Sequence, residues 1–507
     1  MPDAVNTEFI LDMQRKLFRW SDADPNKVFA DVFNLVNDRR TLDHAWRKLS
    51  RNKGSNTPGT DGATRRSVEQ QQGGVERFLD NIRQELRTGC FKPEPVRQRL
   101  IPKAGKSGQF RPLGIPTLKD RLVQMALKFV LEPIFEADFY PTSFGFRRGR
   151  SSHDAIAMIQ RQLNPVSHGD SRFAFVIEGD IKGCFDNIDH HLLMERVRRR
   201  IGDRKVLRLI IAFVKAGIMV EGSIRHPVAG TPQGGIISPL LANIFLTGID
   251  ERYRRWTPAP RIPARRASDA RNRDYWKGKP TFYIVRYADD FVVLTTGGRN
   301  EAEAERHALT KFLREELRLE LSAEKTLITA AEDGFDFLGY RLKKHRTKAG
   351  RMACRLYVPR QKLQNLRRKI KSMTDVSSNG TSLSQHIRDL NPLITGWRNF
   401  YRFAGMVYRE FRKMDWWLWW RMFRWLRKKY PKTSPRVIAQ RFLTKRKGVS
   451  RRWAEDGITL RKFTDGGTGR YPCRGIRISN GWDATPNEWF RPVPGDYWET
   501  MNALETV

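Results

Sequence analysis

The sequence predicts a mixed α/β or α+β protein that passes, in its last third, into a basic helical segment. Three observations predict this. From Leu100 to about Arg341, helical stretches alternate with short runs of β-branched and aromatic residues. Upstream, residues 8 to 50 carry apolar side chains at helical spacing. Downstream, residues 341 to 450 hold 30 Lys and Arg against 4 Asp and Glu, a surplus of 26, with aromatics interleaved on a helical period.

Taken in order, Phe9, Ile10, Met13, Leu17 and Phe18 line one helix, and Val28, Phe29, Val32, Phe33 and Val36 line another. A breaker-rich loop follows, Lys53-Gly-Ser-Asn-Thr-Pro-Gly-Thr-Asp-Gly62. Residues 68 to 100 read as helix and then extended chain. Phe173-Ala-Phe-Val-Ile177, Phe282-Tyr-Ile-Val285 and Phe291-Val-Val-Leu294 are buried-strand candidates. Arg252 to Lys279 is polar, rich in Arg and Pro, and reads as a surface insertion. After Gly448 the chain is rich in Gly, Pro and Trp with no clear period. The expected divisions are residues 1–75, 76–345, 346–447 and 448–507.

The 507 residues include 94 Lys and Arg against 55 Asp and Glu, a net charge of +39. Such a surplus self-repels unless a polyanion neutralises it, so nucleic acid is the expected partner. No run of 18 apolar residues exists, so no membrane span is expected. Met1 to Trp20 contains Asp3, Glu8 and Asp12 and no apolar core, so neither a secretion signal nor a transit peptide is expected. Cys90, Cys184, Cys354 and Cys473 are isolated, which argues against a zinc ribbon or disulfide framework and for reduced thiols of a cytoplasmic protein.

Three acidic residues stand out by context. Asp180 follows the Phe173–Ile177 run, and Asp289 and Asp290 sit in Tyr287-Ala-Asp-Asp-Phe291 between two apolar runs. Adjacent aspartates there fit the tip of a tight hairpin, where one can share an ion with a carboxylate of a neighbouring strand. Phosphoryl transfer needs such a cluster, because hard oxygen ligands hold Mg²⁺ and two ions about 3.5–4 Å apart serve an in-line displacement. Alone, an Asp-Asp pair is more often a turn or helix cap. Between these sites lies Ala229-Gly-Thr-Pro-Gln-Gly-Gly-Ile-Ile-Ser-Pro-Leu-Leu-Ala-Asn-Ile-Phe245. Gly234 and Gly235 permit close backbone approach by a base or sugar, with the Gln233 amide beside them.

The order of the Asp180 site, Thr-Pro-Gln-Gly-Gly, Tyr-Ala-Asp-Asp, Leu321-Ser-Ala-Glu-Lys-Thr326 and Phe337-Leu-Gly-Tyr340 resembles the reverse transcriptases encoded by bacterial group II introns. Ile101-Pro-Lys103, Arg111-Pro-Leu-Gly-Ile-Pro-Thr117 and Phe144-Gly-Phe-Arg147 match as well. Leu390-Asn-Pro-Leu-Ile-Thr-Gly-Trp-Arg-Asn-Phe-Tyr-Arg402 is similar to the maturase (domain X, thumb) signature. The resemblance spans about residues 30 to 445. It implies an α+β right-hand polymerase, with fingers and palm followed by a helical thumb.

The resemblance further implies that Asp180, Asp289 and Asp290, with Ile181, hold two Mg²⁺ ions. Phe185 matches the aromatic gate that excludes a 2′-hydroxyl; without the family it reads equally as core. Gln233 matches the contact to the incoming dNTP. Lys103 and Arg111 match the cations on its triphosphate; their spacing of eight leaves Lys106 open in place of Lys103. Lys325 matches a lysine near the leaving pyrophosphate and reads equally as a surface lysine. The loop bearing Lys53 corresponds to a lid over the template. In Met414–Tyr430, Trp416, Trp419, Trp420 and Phe423 share one helical face, read as core more than as a base-stacking platform. Arg421, Arg424 and Lys428 share another, where phosphates bind. Arg398, in the maturase signature, is also expected on RNA. The implied partners are group II intron RNA, a DNA target or primer, and dNTPs, in a nucleoid- or RNP-associated particle, as monomer or dimer.

Beyond residue 446 there is one cysteine and no histidine, so an HNH-type endonuclease is not expected and priming falls to nascent strands or ends made by others. The tail Thr464–Val507, with Trp482, Trp489 and Trp498, reads as a short DNA-binding domain or as a packing cap. Three other readings compete: a domesticated relative in DNA repair, phage defence or a CRISPR-associated role, a binding-only splicing factor with a dead polymerase, and an RNA-dependent RNA polymerase.

Overall fold

The computed structural model describes residues 2–102, 108, 110–165, 170–220, 223–225, 230, 234–348, 350–375, 380–444, 451–475 and 478–482. Lys103, Lys106 and Gln233, together with Trp489 and Trp498, lie outside the described residues. Two compact units are formed: residues 2–158, 173–330 and 474–482 make the first, and 159–172 and 331–473 the second.

The first unit runs α1 (Pro2–Ala23), α2 (Phe33–Val36), α3 (Arg39–Ser50), α4 (Arg65–Gln70), α5 (Gly74–Thr88), β1 (Val96–Pro102), β2 (Phe110–Ile115), α6 (Leu118–Glu136) and α7 (Ser152–Leu163), whose last turns enter the second unit. It continues with β3 (Phe175–Asp180), α8 (His190–Arg198), α9 (Arg204–Lys215), β4 (Ile218–Val220), β5 (Ser223–Arg225), α10 (Ser238–Arg252), α11 (Ala264–Trp276), β6 (Phe282–Tyr287), β7 (Asp290–Thr295), α12 (Arg299–Glu316) and β8 (Leu327–Ala330).

Two four-stranded sheets organise this unit. One has the order β6-β7-β3-β8 with every neighbour antiparallel. The other has the order β2-β1-β4-β5, with β1 and β4 parallel. β6 and β7 are almost wholly buried, which is why they read as continuous apolar runs rather than as alternating ones. Two helices of the same core are themselves buried nearly all round. In α6, 16 of 19 residues are buried, and Thr117 caps its start by accepting the Asp120 N–H at 3.1 Å. In α10, 12 of 15 residues are buried.

One stretch of this unit differs from expectation. Helical spacing over Val28–Val36 yields helix only at Phe33–Val36. The Asp203 carboxylate takes the Val32 and Phe33 N–H groups at 3.0 and 2.8 Å, and the Phe29 N–H donates to Arg200 O at 2.8 Å. Long-range partners thus satisfy the backbone before a helix can. The polar insertion Arg252–Lys279 contains α11, anchored by buried Ala267, Ala270 and Asp274.

The second unit contains β9 (Phe335–Phe337), β10 (Tyr340–Arg346), β11 (Met352–Tyr357), α13 (Arg360–Met373), α14 (Leu383–Tyr401), α15 (Val407–Lys429), α16 (Pro435–Phe442) and a small hairpin of β12 (Ala454–Glu455) and β13 (Ile458–Thr459). The expected helical pattern over 341–450 therefore begins only at Arg360; before it, β10 and β11 pair as a hairpin. In β10 the alternation of buried Leu342 and Lys344 with more exposed neighbours has the period of a strand.

The expected aromatic face of α15 divides. Its core side is Val407, Phe411, Met414, Leu418, Met422 and Trp425. Trp419 and Phe423 are half-buried against Trp453, whereas Trp416 and Trp420 are 67% and 37% exposed. Trp453 is fully buried and donates its indole N–H to Trp419 O at 3.1 Å. Further along the tail, within the first unit, Trp482 packs on Phe18 of α1 and donates to Gln14 Oε1 at 3.2 Å. Among the described residues, no helix is long and apolar enough to cross a membrane.

Candidate active site

The site is built on the β6–β7 hairpin. Tyr287 pairs with Asp290, which leaves Ala288 and Asp289 as a two-residue loop. Ala288 has φ +57°, a left-handed conformation usual for glycine at the first position of such turns. For a residue with a Cβ this costs about 1–2 kcal/mol, and the surroundings enforce it. Arg286 Nη1 donates to Ala288 O at 3.0 Å. Gly145 lies flat against the Ala288 N, where a Cβ would overlap. The segment that carries Gly145 is stitched to β6, with the Arg286 N–H donating to Thr142 O at 3.0 Å and the Phe144 N–H donating to Arg286 O at 2.9 Å.

Strand pairing then brings the third carboxylate alongside. Asp180 is the cross-strand partner of Asp290 in the β3–β7 ladder. One residue earlier, Gly179 faces Phe291, whose ring fills the space a Cβ would need. After β3, Ile181 bridges Leu321, and the Ser322 N–H donates to Asp180 O at 2.8 Å. That contact carries Lys325 to the cluster, where its ammonium donates to Asp180 Oδ2 at 2.8 Å.

Electrostatics at the cluster follow from crowding. Asp289 is held above the usual carboxylate range by burial and by the Asp180 charge, against the pull of Arg111 and Lys325. Asp290 is pushed up to about 6 by withdrawal from water, then by Asp289 and Asp180. Lys325 is raised by its hydrogen bond to Asp180. Among the described residues, no three acidic, histidine or cysteine side chains are drawn into a closed metal cage. The cation bonded to Asp180 is the Lys325 ammonium.

The other expected residues fall as follows. Phe185 is half-buried in the turn after Gly183 (φ +55°), and its ring meets Phe146 edge-on at 6.3 Å. Arg111 is exposed on β2, and its charge acts on Asp289 and Asp290. Gln233 is undescribed, but its flanks are set: Gly230 lies against the Asp186 backbone and Gly234 against Gly114 O. Gln124 Oε1 accepts the Ile236 N–H at 2.7 Å just beyond. Lys53 is exposed at the start of a short 3₁₀ turn, in a loop clamped by Arg121, which donates to Gly54 O and Thr57 O at 2.9 and 2.8 Å.

In the second unit, Arg424 and Lys428 are exposed on α15. Arg421 instead donates to Thr374 Oγ1 and Thr374 O at 2.9 and 2.6 Å, closing the C-terminus of α13. Lys371, Trp417, Arg421 and Arg424 line a cleft of 260 Å³. Arg398 donates to Asp465 O at 2.7 Å and to its neighbour Asn399.

Sequence reasoning missed a buried network beneath the hairpin. Arg286 and Asp250 are fully buried and paired at 2.6 Å. Arg286 also donates to Asn243 Oδ1 at 3.1 Å, and Asn243 Nδ2 donates to Gly145 O at 2.8 Å. The available signal was an arginine inside the apolar run Phe282–Tyr287, since a charge in a buried strand requires a partner.

Residues 101–342 match the family described as reverse transcriptase (RNA-dependent DNA polymerase). Residues 363–445 match the group II intron, maturase-specific domain. Protein YkfC of Escherichia coli (strain K12) is 40% identical over 367 residues, covering 70% of this chain and 94% of that one. The group II intron-encoded protein LtrA of Lactococcus lactis subsp. cremoris is 35% identical over 366 residues, 64% of this chain and 59% of its own length. A reverse transcriptase domain followed by a maturase-specific domain favours the intron-borne reading over a domesticated one. The chain belongs to the group II intron-encoded reverse transcriptase and maturase family, as an RNA-directed DNA polymerase.

Proposed function

We propose that Asp180, Asp289 and Asp290 form the polymerisation site of this reverse transcriptase, which copies group II intron RNA into DNA from dNTPs and binds the same RNA to assist splicing. The observation that carries the reading is the pairing of Asp180 with Asp290 across β3 and β7, with Asp289 in the adjoining turn.

The donor set suits a hard divalent cation. Crowding that raises Asp289 and Asp290 is relieved by positive charge, and an ammonium already stands on Asp180. Two Mg²⁺ ions would be held by the three carboxylates and the Ile181 carbonyl. When bound, such a pair lowers the barrier of in-line phosphoryl transfer at the primer 3′-oxygen and the leaving oxygen. Arg111 binds and orients the triphosphate, a charge-assisted contact. Lys103 and Gln233 complete that pocket in this reading. Lys325, displaced from Asp180, meets the departing pyrophosphate. Phe185 presents its ring to the sugar and leaves no room for a 2′-hydroxyl.

In the first unit Lys53 presents an exposed cation to RNA phosphates, and on the maturase side Arg424 and Lys428 present others. Arg398 and Arg421, bonded to backbone carbonyls, hold the scaffold beside them.

The test is Mg²⁺-dependent extension of oligo(dT) on poly(rA), run beside splicing of the flanking intron RNA. Asp289→Ala is expected to abolish extension and to retain splicing. Extension by Asp289→Ala at the wild-type rate sinks the assignment.

A further inference from the structure

Phe146 is a bulky aromatic residue in a left-handed backbone conformation, φ +56°. For such a side chain this is an outlier. Its surface is 52% exposed, so the strain is not repaid by burial of the ring. The conformation is imposed from both sides. Gly145 O accepts from Asn243, and Gly145 abuts the Ala288 N of the Asp289-bearing turn. On the other side, buried Arg147 donates to both Glu136 oxygens and to Tyr140 O and Ser143 O. What the ring touches is Phe185, edge-on, with centroids 6.3 Å apart and an interplanar angle of 78°.

We infer that Phe146 is a positioning residue for sugar selection: its ring fixes the orientation of Phe185 at the nucleotide site. This rests on the proposed gate role of Phe185. Phe185 is half-buried and packs in part against the hydrophobic core, and an edge-to-face neighbour restricts the rotamers left to its exposed part. The strained Phe146 backbone is what delivers that neighbour.

The test compares dTTP with UTP incorporation on poly(rA)/oligo(dT) by wild type, Phe185→Ala, Phe146→Gly, Phe146→Tyr and the double variant Phe146→Gly/Phe185→Ala. Glycine accepts the left-handed conformation, so Phe146→Gly is expected to unfold at the wild-type temperature or above it. Its preference for dTTP, as a ratio of kcat/KM, is expected to fall about fivefold, the worth of an aromatic pair. Phe146→Tyr, which keeps the ring, is expected to retain the preference. The double variant should match Phe185→Ala, because a residue acting through the gate has no effect once the gate is gone. If Phe185→Ala relaxes selection but Phe146→Gly does not, or if the two losses multiply, the inference is overturned and the gate stands. If Phe185→Ala leaves selection unchanged, the gate reading itself fails and takes this inference with it.

Discussion

Replacing Arg286 by methionine is expected to damage stability and activity in separable ways. The guanidinium is fully buried and pairs with fully buried Asp250, with contacts of 2.6–3.2 Å to its two oxygens. Removing one member of a buried pair leaves the other charge uncompensated, at a cost of about 3–5 kcal/mol. Replacing both members by apolar residues is often close to neutral. The double variant Arg286→Met/Asp250→Leu is therefore expected to recover the loss due to the uncompensated charge, and to stay below wild type by about 1–3 kcal/mol for each of the Ala288 O and Asn243 Oδ1 acceptors left without a donor. Activity should not recover. Arg286 also donates to Ala288 O and Asn243 Oδ1, and these contacts hold the strained turn that carries Asp289. A displacement of about 1 Å at reacting groups costs on the order of 10²-fold in rate. The assays are urea unfolding, read on the transition of the first unit, and single-turnover primer extension. A double variant that regains both stability and rate refutes the reasoning, because the network would then be structural only. So does a single variant within about 1 kcal/mol of wild type.

Three further outcomes are expected. Asp290 sits at about 6 in the folded chain, above its ordinary value, so between about pH 4 and 6 the folded state binds more protons than the unfolded one and stability falls as pH rises. Asp290→Asn should flatten that fall, and Mg²⁺ at pH 7.5 should raise the unfolding temperature of wild type but not of Asp180→Ala/Asp289→Ala; an equal rise in both argues against these ligands. Trp453→Ala is expected to destabilise the second unit by about 3–5 kcal/mol, since the indole is fully buried against Trp419 and Phe423; a loss below about 1 kcal/mol in chemical unfolding contradicts that packing. Arg424→Gln/Lys428→Gln should lower the salt slope of RNA binding by about 2 without altering unfolding, whereas Arg421→Gln should lower stability by releasing the α13 C-terminus; the reverse assignment of effects would show that Arg421 is the RNA contact.

The order of the motifs was legible because each short string carries its own chemistry. Asp180, the Gly234-Gly235 pair and Asp289-Asp290 are recognisable wherever they lie in the chain. The strands on either side of Asp289 and Asp290 were legible too, since burial on both faces leaves an unbroken apolar run. Misread elements have local patterns that distant groups override. The Val28–Val36 run loses its backbone donors to Asp203, far along the chain. The basic stretch after Tyr340 begins as a hairpin, because a cation-rich strand and a cation-rich helix look alike in composition. On α15, tryptophan spacing named one face, but Trp453 covers only part of it.

The amino-acid order alone determined which carboxylates, cations and aromatics are available for chemistry, and that an excess of positive charge needs a polyanion. Tertiary structure alone decided the register that sets Asp180 opposite Asp290, the left-handed turn at Ala288 and the Arg286–Asp250 pair beneath it. It also brought the strained Phe146 ring against Phe185. The division has a physical cause. A side chain's charge, size and donors are properties of one residue, whereas strand register, backbone strain and the pairing of buried charges exist only between residues that folding brings together.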